Sequence, residues 1–439
     1  MLPFLVMVAV AAAPIGSSAP AGSRPIAAQD SALRISLADA IARATKLDPN
    51  YVRAIGQVGS AEWARKSARS AFVLPSLSVG SDLSKYSVEI FNTGTGQRAT
   101  SIVTARADAR FELFTGGRKL ADLKRLDAEL EGAKAGEAQA LFLTALATER
   151  DYYEVLGGRE LVDVARDRLR RAEEQLVVAR ARVVSGAVVQ TDSLQILLEV
   201  NRARVALLRE EANLSVARLQ LGRRVGVRGP ADAAPLDSTL PREMPVDLPA
   251  AVALALEQGP DWRIARSNEV AANASLRARK AVYLPQANLN ASYSKFGDSF
   301  FPAGLSRGSL TLSISYPLWD NLQRELNLKR AQLARDLARA QREDLELAAE
   351  VDVTEAYEAH RTALATARYA EQAVAVAREN FRVQEARYRN GASTILDLLD
   401  GQSQLTGAQA ELVQARYATR LALAGLEALV GRRFHDIGE

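Results

Sequence analysis

Arg387-Tyr-Arg-Asn-Gly-Ala-Ser-Thr-Ile-Leu-Asp-Leu-Leu-Asp400 is the stretch whose reading decides the fold. Gly391 follows one long helical pattern and precedes another, and a Gly just past the last periodic residue is a common helix stop. Thr394 and Asp397 have the spacing of a capping pair that opens the next helix. The stretch therefore reads as the tip of a helical hairpin. A second tip lies upstream, from Arg182 through Gly186 to Asp192 and Leu194. Arg387, Gly391, Asp397 and Leu399 each follow their counterparts in that set by 205 residues. The chain is a tandem duplication of one large unit, with a tip closing each copy.

Working outward, a helical pattern leads into each tip, over about 117–184 and 322–388. At 1.5 Å per residue each spans roughly 100 Å, far beyond a compact domain. Near the first tip the pattern is a heptad of Val162, Ala165, Leu169, Ala172, Leu176, Ala179 and Val183. Its counterpart is Ala367, Ala370, Val374, Ala377, Phe381, Gln384 and Tyr388. Small residues along such a seam permit close approach of helices and suit neighbours on both sides. The returning helices, 192–221 and 397–429, are about half as long. Segments 37–74 and 248–284 are expected to complete them by end-to-end stacking, with prolines at 49, 75, 260 and 285 as helix stops.

Between these segments and the long helices the period changes to two. Val103, Ala105, Ala107, Ala109, Phe111 and Leu113 alternate with Thr104, Arg106, Asp108, Arg110 and Glu112. Leu310, Leu312, Ile314, Tyr316 and Leu318 alternate with Ser309, Thr311, Ser313 and Ser315, and the stretches after Pro75 and Pro285 behave alike. Each copy thus holds two strands with one apolar face, joined by a polar loop (91–97 and 296–308). A half-buried sheet on a soluble core is one reading. The other is a membrane barrel, which strands of about 9–11 residues with this pattern match. Four strands close no pore alone, and open edges are not tolerated in lipid, so such a barrel would be shared between chains.

The composition narrows the function. The 439 residues carry 56 basic and 52 acidic side chains, a net charge of +4, with both signs interspersed along helices. That balance gives no case for nucleic-acid binding. The absence of cysteine excludes disulfides, thiolate metal sites and lipid attachment to a Cys of this sequence. Residues 2–15 form a short apolar run followed by small residues, and 1–28 reads as a secretory signal although no Lys or Arg precedes the run. No P-loop, zinc-spaced His pair or dinucleotide fingerprint is present. Gly304-Leu-Ser306-Arg-Gly308 matches a nucleophile elbow, but that motif needs a strand before it and a helix after it. Here it falls between two strands. His360 and His435 are isolated, and His360, within a charged helix, is expected at the surface. Neither an enzyme, a cofactor nor a metal site is expected.

In these residues the chain resembles the TolC-like outer membrane efflux protein family. The resemblance rests on Leu37-x-x-Ala40-x-x-x-Ala44, the Leu-Pro pairs at 74–75 and 284–285, Leu318-Trp-Asp320, and Gly391 to Asp400. It implies a mixed α and β membrane protein whose homotrimer builds a 12-stranded β-barrel in the outer membrane lipid above an α-helical periplasmic tunnel. It further implies a passive channel of a tripartite efflux or type I secretion system, opened by a periplasmic adaptor and an inner membrane transporter. By the same resemblance Asp397 and Asp400 form acidic rings at the entrance, and Asp192, Tyr388 and Gln384 belong to a closing network. Ser185, Gly186, Ala187, Asn390, Gly391 and Ala392 are the hairpin tips, where the adaptor would dock. Where the family can carry an Arg two residues past the second-tip Gly, this chain has Ser393, so Tyr388–Asp192 contacts are expected to hold the closure. Read from spacing alone, the three Asp residues are first of all helix-dipole complements; the resemblance reverses that for Asp397 and Asp400 and leaves Asp192 evenly divided. The expected organisation is a signal (1–28), a first repeat (29–222), a Pro-rich linker wrapped on the outside (223–247), a second repeat (248–431) and a tail (432–439). The alternative is a non-transporting periplasmic coiled-coil stalk or adhesin. Helix length suits both, but the paired alternating segments suit only the channel.

Overall fold

The computed structural model describes residues 33–186, 189–236, 246–297 and 304–434. The secretory-signal segment, Ala187, much of the Pro-rich linker and His435 fall outside the described residues. The first copy contains β1 (Leu33–Ile35), α1 (Leu37–Leu47), α2 (Pro49–Ser70), β2 (Ser76–Asn92), β3 (Gln97–Phe114), α3 (Arg118–Val184) and α4 (Gln190–Arg224). After β4 (Ala231–Ala233) come α5 (Leu248–Gln258), α6 (Pro260–Ala281), β5 (Gln286–Gly297), β6 (Ser306–Ser315), α7 (Gln323–Arg389) and α8 (Ile395–Val430). The duplication is plain in the lengths: α3 and α7 both have 67 residues, α2 and α6 both 22.

The half-length helices divide the long ones between them. Along its tip-side half α3 packs on α4, with Arg168–Glu199 at 2.7 Å and Arg224–Asp151 at 2.6 Å. Along its sheet-side half it lies against both α2 (Arg65–Asp127, 2.5 Å) and α6 (Arg263–Glu131, 3.9 Å). In the same way α7 packs on α8 and then on α6, where Arg342 reaches Glu269 at 2.6 Å. Its sheet-side half leaves Leu333, Leu337, Leu347 and Val351 exposed. Pro49 and Pro260 sit in the first turns of α2 and α6, where the missing N–H costs nothing. They open these helices; the sequence reading took them only as stops.

Helix α8 also crosses to α3, where the Tyr417 hydroxyl meets Glu160 at 2.7 Å. The seam is narrow because Ala172, Ala179 and Ala367 are fully buried on it. His360 corrects the sequence reading: it is 2% exposed. It stands seven residues after Val353 and seven before Ala367, both buried, so it occupies a seam position of the same heptad. The charged residues around it lie on the other faces of α7.

The four long strands form one antiparallel sheet in the order β2-β3-β5-β6, in which β2 and β6 are the edges, unpaired among the described residues. Phe91, Asn92, Phe296, Gly297 and Ser306–Gly308, expected in loops, belong to the strands. Ser306 therefore opens β6 and is followed by strand, not by the helix a nucleophile elbow needs. β2 and β3 have 17 and 18 residues against 12 and 10 for β5 and β6. The end of the longer hairpin leans onto the shorter: a Cβ on Gly94 would lie 2.2 Å from Phe296 Cγ, so only glycine fits there.

A second sheet went unforeseen. β1 and β4 pair in parallel at the junction of the two halves. Ala231 and Ala233 are fully buried, so the start of the linker is part of a core and not an outer wrap. Tyr152 of α3 ties the pair down, its hydroxyl donating to the carbonyl of Ala234 at 2.8 Å. Arg159 binds Asp232 and the Ala233 carbonyl. Strands of three residues are too short to show a period.

Candidate functional site

Both tips form as the glycines and caps dictate. Gly186 and Gly391 have φ of 73° and 74°, a left-handed conformation that glycine adopts without Cβ strain. At the first tip the N–H groups of Ser185 and Gly186 return to the carbonyls of Ala181 and Val183 at 3.0 Å each. At the second, Asn390, Gly391 and Ala392 donate to the carbonyls of Ala386, Tyr388 and Arg387. Below the tips Ala172, Ala179, Ile196, Phe381, Tyr388 and Leu398 share one apolar core, which draws the two hairpins together.

The acidic residues are placed unequally. Thr394 and Asp397 form the full capping box: the Asp397 N–H donates to Thr394 Oγ1 at 3.3 Å, and Asp397 Oδ2 accepts from the Thr394 N–H at 3.0 Å. Asp397 Oδ2 also accepts from Thr394 Oγ1 at 2.8 Å, and the two bonds it accepts, the backbone one first, hold the Asp397 carboxyl below its ordinary range. Asp400, three residues on and also exposed, accepts from Gln404 Nε2 at 2.7 Å. Asp192 lies half-buried in the first turn of α4.

Tyr388 is 2% exposed, and burial, followed by the nearby Asp192 charge, raises its hydroxyl pKa while Arg182 opposes the rise. The hydrogen bond expected between Tyr388 and Asp192 is not made. The tyrosine hydroxyl has no hydrogen-bond partner among the described residues. The Tyr388 ring and carbonyl are held by Arg182 of the first tip instead. A Cβ on Gly401 would lie 3.6 Å from Gln384 Cγ, and Gln384 Oε1 is buried without a partner among the described residues. Arg387 serves its own tip, and Arg389 pairs with Glu385 at 2.9 Å. The sequence held one signal for Arg182, its equivalence to Arg387 in the duplication.

At the far end the sheet separates polar from apolar, because residues paired across strands share a face. One face carries the rows Ser78/Asp108/Ser292/Ser309, Gly80/Arg106/Ser294/Arg307 and Ser76/Arg110/Asn290/Thr311. Asp82 meets Arg106, and Arg110 Nε donates to Asn290 Oδ1 at 3.2 Å. The other face carries Leu77/Ala109/Ala291/Leu310 and Val79/Ala107/Tyr293/Gly308. Val79 is 87% and Leu310 70% exposed, apolar area that a solvated sheet would bury. No helix among the described residues is long and apolar enough to cross a membrane. Among them no group of His, Asp or Glu is arranged to hold a metal ion.

A family profile described as "Outer membrane efflux protein" matches residues 40–227 and 251–432. The pyoverdine export outer membrane protein OpmQ of Pseudomonas putida is 27% identical over 391 residues, covering 84% of this chain and 78% of its own. The toluene efflux pump outer membrane protein TtgC of Pseudomonas putida is 24% identical over 335 residues, covering 75% and 68%. Among solved structures, CusC superposes with a TM-score of 0.79 at 17% identity, covering 92% of this chain and 93% of its own. VceC of Vibrio cholerae gives 0.75 at 20% identity, covering 91% and 97%.

Proposed function

Because the chain belongs to the outer membrane efflux protein family, we propose that three copies assemble into one channel. It receives cargo at the helical tips and releases it through a shared barrel. The outer membrane is its location, and the long helices form the periplasmic part. The carrying observation is the sheet: four strands, one exposed apolar face, one hydroxyl-, amide- and charge-lined face, and free edges at β2 and β6. Lipid leaves no hydrogen-bond partner for those edges, so β6 of one copy pairs with β2 of the next. Two copies would give eight strands, a barrel whose interior side chains fill; an open lumen calls for three. The exposed leucines on α7 support the same arrangement, since α3 is covered at the equivalent level by α2, and the next copy's α2 would cover α7.

The channel has no energy source of its own in this reading. A periplasmic adaptor at the tips around Ser185, Gly186, Asn390, Gly391 and Ala392, with an inner membrane transporter behind it, supplies both cargo and opening. Asp397 and Asp400 line the entrance. Relatives named for pyoverdine export and toluene efflux favour small organic cargo. Native mass spectrometry in detergent checks the assembly, with three copies expected. A folded, detergent-extracted monomer would overturn it.

A further inference from the structure

We infer that Arg182 is the residue that ties the two hairpin tips of one chain together and so sets how readily the entrance opens. The inference rests on the channel reading above. Arg182 and Arg387 hold equivalent places in the two copies, each four residues before the tip glycine. Their tasks differ. Arg387 Nη2 donates to the carbonyl of Ala392 in its own tip at 3.2 Å. Arg182 leaves its hairpin altogether: its guanidinium stands 4.9 Å from the centroid of the Tyr388 ring and donates to the Tyr388 carbonyl.

One planar group therefore grips both the ring and the backbone of the last turn of α7. Stacking and donation suit a guanidinium; an ammonium carries the charge without the plane. Tyr388 is buried, and a cation–π contact strengthens where water is excluded. Gly391 shapes the seat, since a Cβ there would lie 3.3 Å from Arg182 Nη2 and press on the guanidinium. The half-buried Asp192 adds negative charge beside the same ring. The tyrosine hydroxyl has no part in the contact. Moving α7 and α8 away from α3 and α4 at the tips requires Arg182 to leave both partners together.

Resting conductance of the purified assembly in planar bilayers, measured beside the thermal unfolding midpoint, tests this. Arg182→Ala is expected to raise the resting open fraction roughly tenfold with the midpoint unchanged. Arg182→Lys should fall between Arg182→Ala and the native protein. Tyr388→Leu should match Arg182→Ala, and the double variant should add little to either. Tyr388→Phe keeps the ring and the carbonyl that Arg182 engages and should raise resting conductance far less than Tyr388→Leu. The assignment is overturned if Arg182→Ala and Tyr388→Leu leave resting conductance unchanged, or if Tyr388→Phe alone opens the pore. A native protein that inserts but never conducts overturns the channel reading itself, a result distinct from an unaltered Arg182 variant.

Discussion

Lys119 and Arg324 lie 205 residues apart and make the same contact. Lys119 Nζ donates to the carbonyl of Glu112 at 2.7 Å, and Arg324 Nη1 donates to the carbonyl of Pro317 at 2.9 Å. In each copy a basic side chain in the first turn of the long helix reaches back seven residues and fastens the end of the preceding strand segment. The helix and the sheet are thereby joined at a fixed angle, twice per chain.

Arg324→Lys should be tolerated, because the first copy performs this task with lysine. Arg324→Ala should destabilise by about 1.5–3 kcal/mol, the range for a hydrogen bond to a charged group. Denaturant midpoints of the detergent-solubilised protein distinguish the two; equal loss in both variants would contradict the equivalence.

The same junctions turn through left-handed backbone. Gly116 and Gly117 have φ of 62° and 87°, whereas Asn321 and Leu322 hold 56° and 65°. A leucine in that region carries strain of about 1–2 kcal/mol, partly offset in a glycine variant by greater freedom of the unfolded chain. Leu322→Gly should therefore stabilise by about 1 kcal/mol, read as a higher unfolding midpoint. A lower midpoint would mean that Leu322, half exposed, packs usefully against a neighbour.

How much of this was legible in sequence depends on the length of each signal. Helices α3 and α7 could be placed within a residue or two because Gly117, Gly186 and Gly391 punctuate long periodic runs. The strand faces followed from alternation. β1 and β4, three residues each, have no room for a period, and Tyr152 and Arg159, which tie down Ile35 and β4, lie far away in sequence. His360 was misplaced because charge around a residue says nothing about its own face, while its heptad register does. At the tips, spacing located every backbone feature but not the partner of Tyr388. A long arginine can serve its own loop or a neighbour's, and only three dimensions distinguish the two.

At the second tip, Thr394→Ala should cost about 1 kcal/mol through loss of the cap. Asp397 titrates below the ordinary carboxylate range because it accepts the Thr394 N–H when ionised. Its contribution is thus present above the ordinary carboxylate pKa and lost as pH falls through the depressed one. Hydrogen exchange of the first turn of α8 should quicken on acidification through that window in the native protein. In Asp397→Asn the added quickening should vanish; its persistence would assign the effect to other groups.

Asp397 and Asp400 should also make the proposed entrance select cations. In the proposed trimer, three copies would bring six carboxylates close together, a repulsion that bound cations relieve and salt weakens. On the polar sheet face Asp82, Asp108 and Glu112 balance Arg106, Arg110 and Arg307, so the barrel adds little preference of its own. Reversal potentials under a salt gradient should show cation preference in the native channel and a marked loss in the double Asp→Asn variant. Undiminished selectivity there would move the filter elsewhere.

The unequal strand lengths would give the proposed trimer a patterned outer rim. β5 and β6, with 12 and 10 residues, are matched to the height of the lipid-facing belt, about 25 Å for tilted strands. β2 and β3 run on past them, and Gln97–Ile102 have no partner on β5. Repeated around the proposed threefold axis, that surplus would form three ledges on the external side, with Gly94 set against Phe296 in each. Any molecule that reads the cell from outside, an antibody or a phage fibre, would then meet three identical ledges.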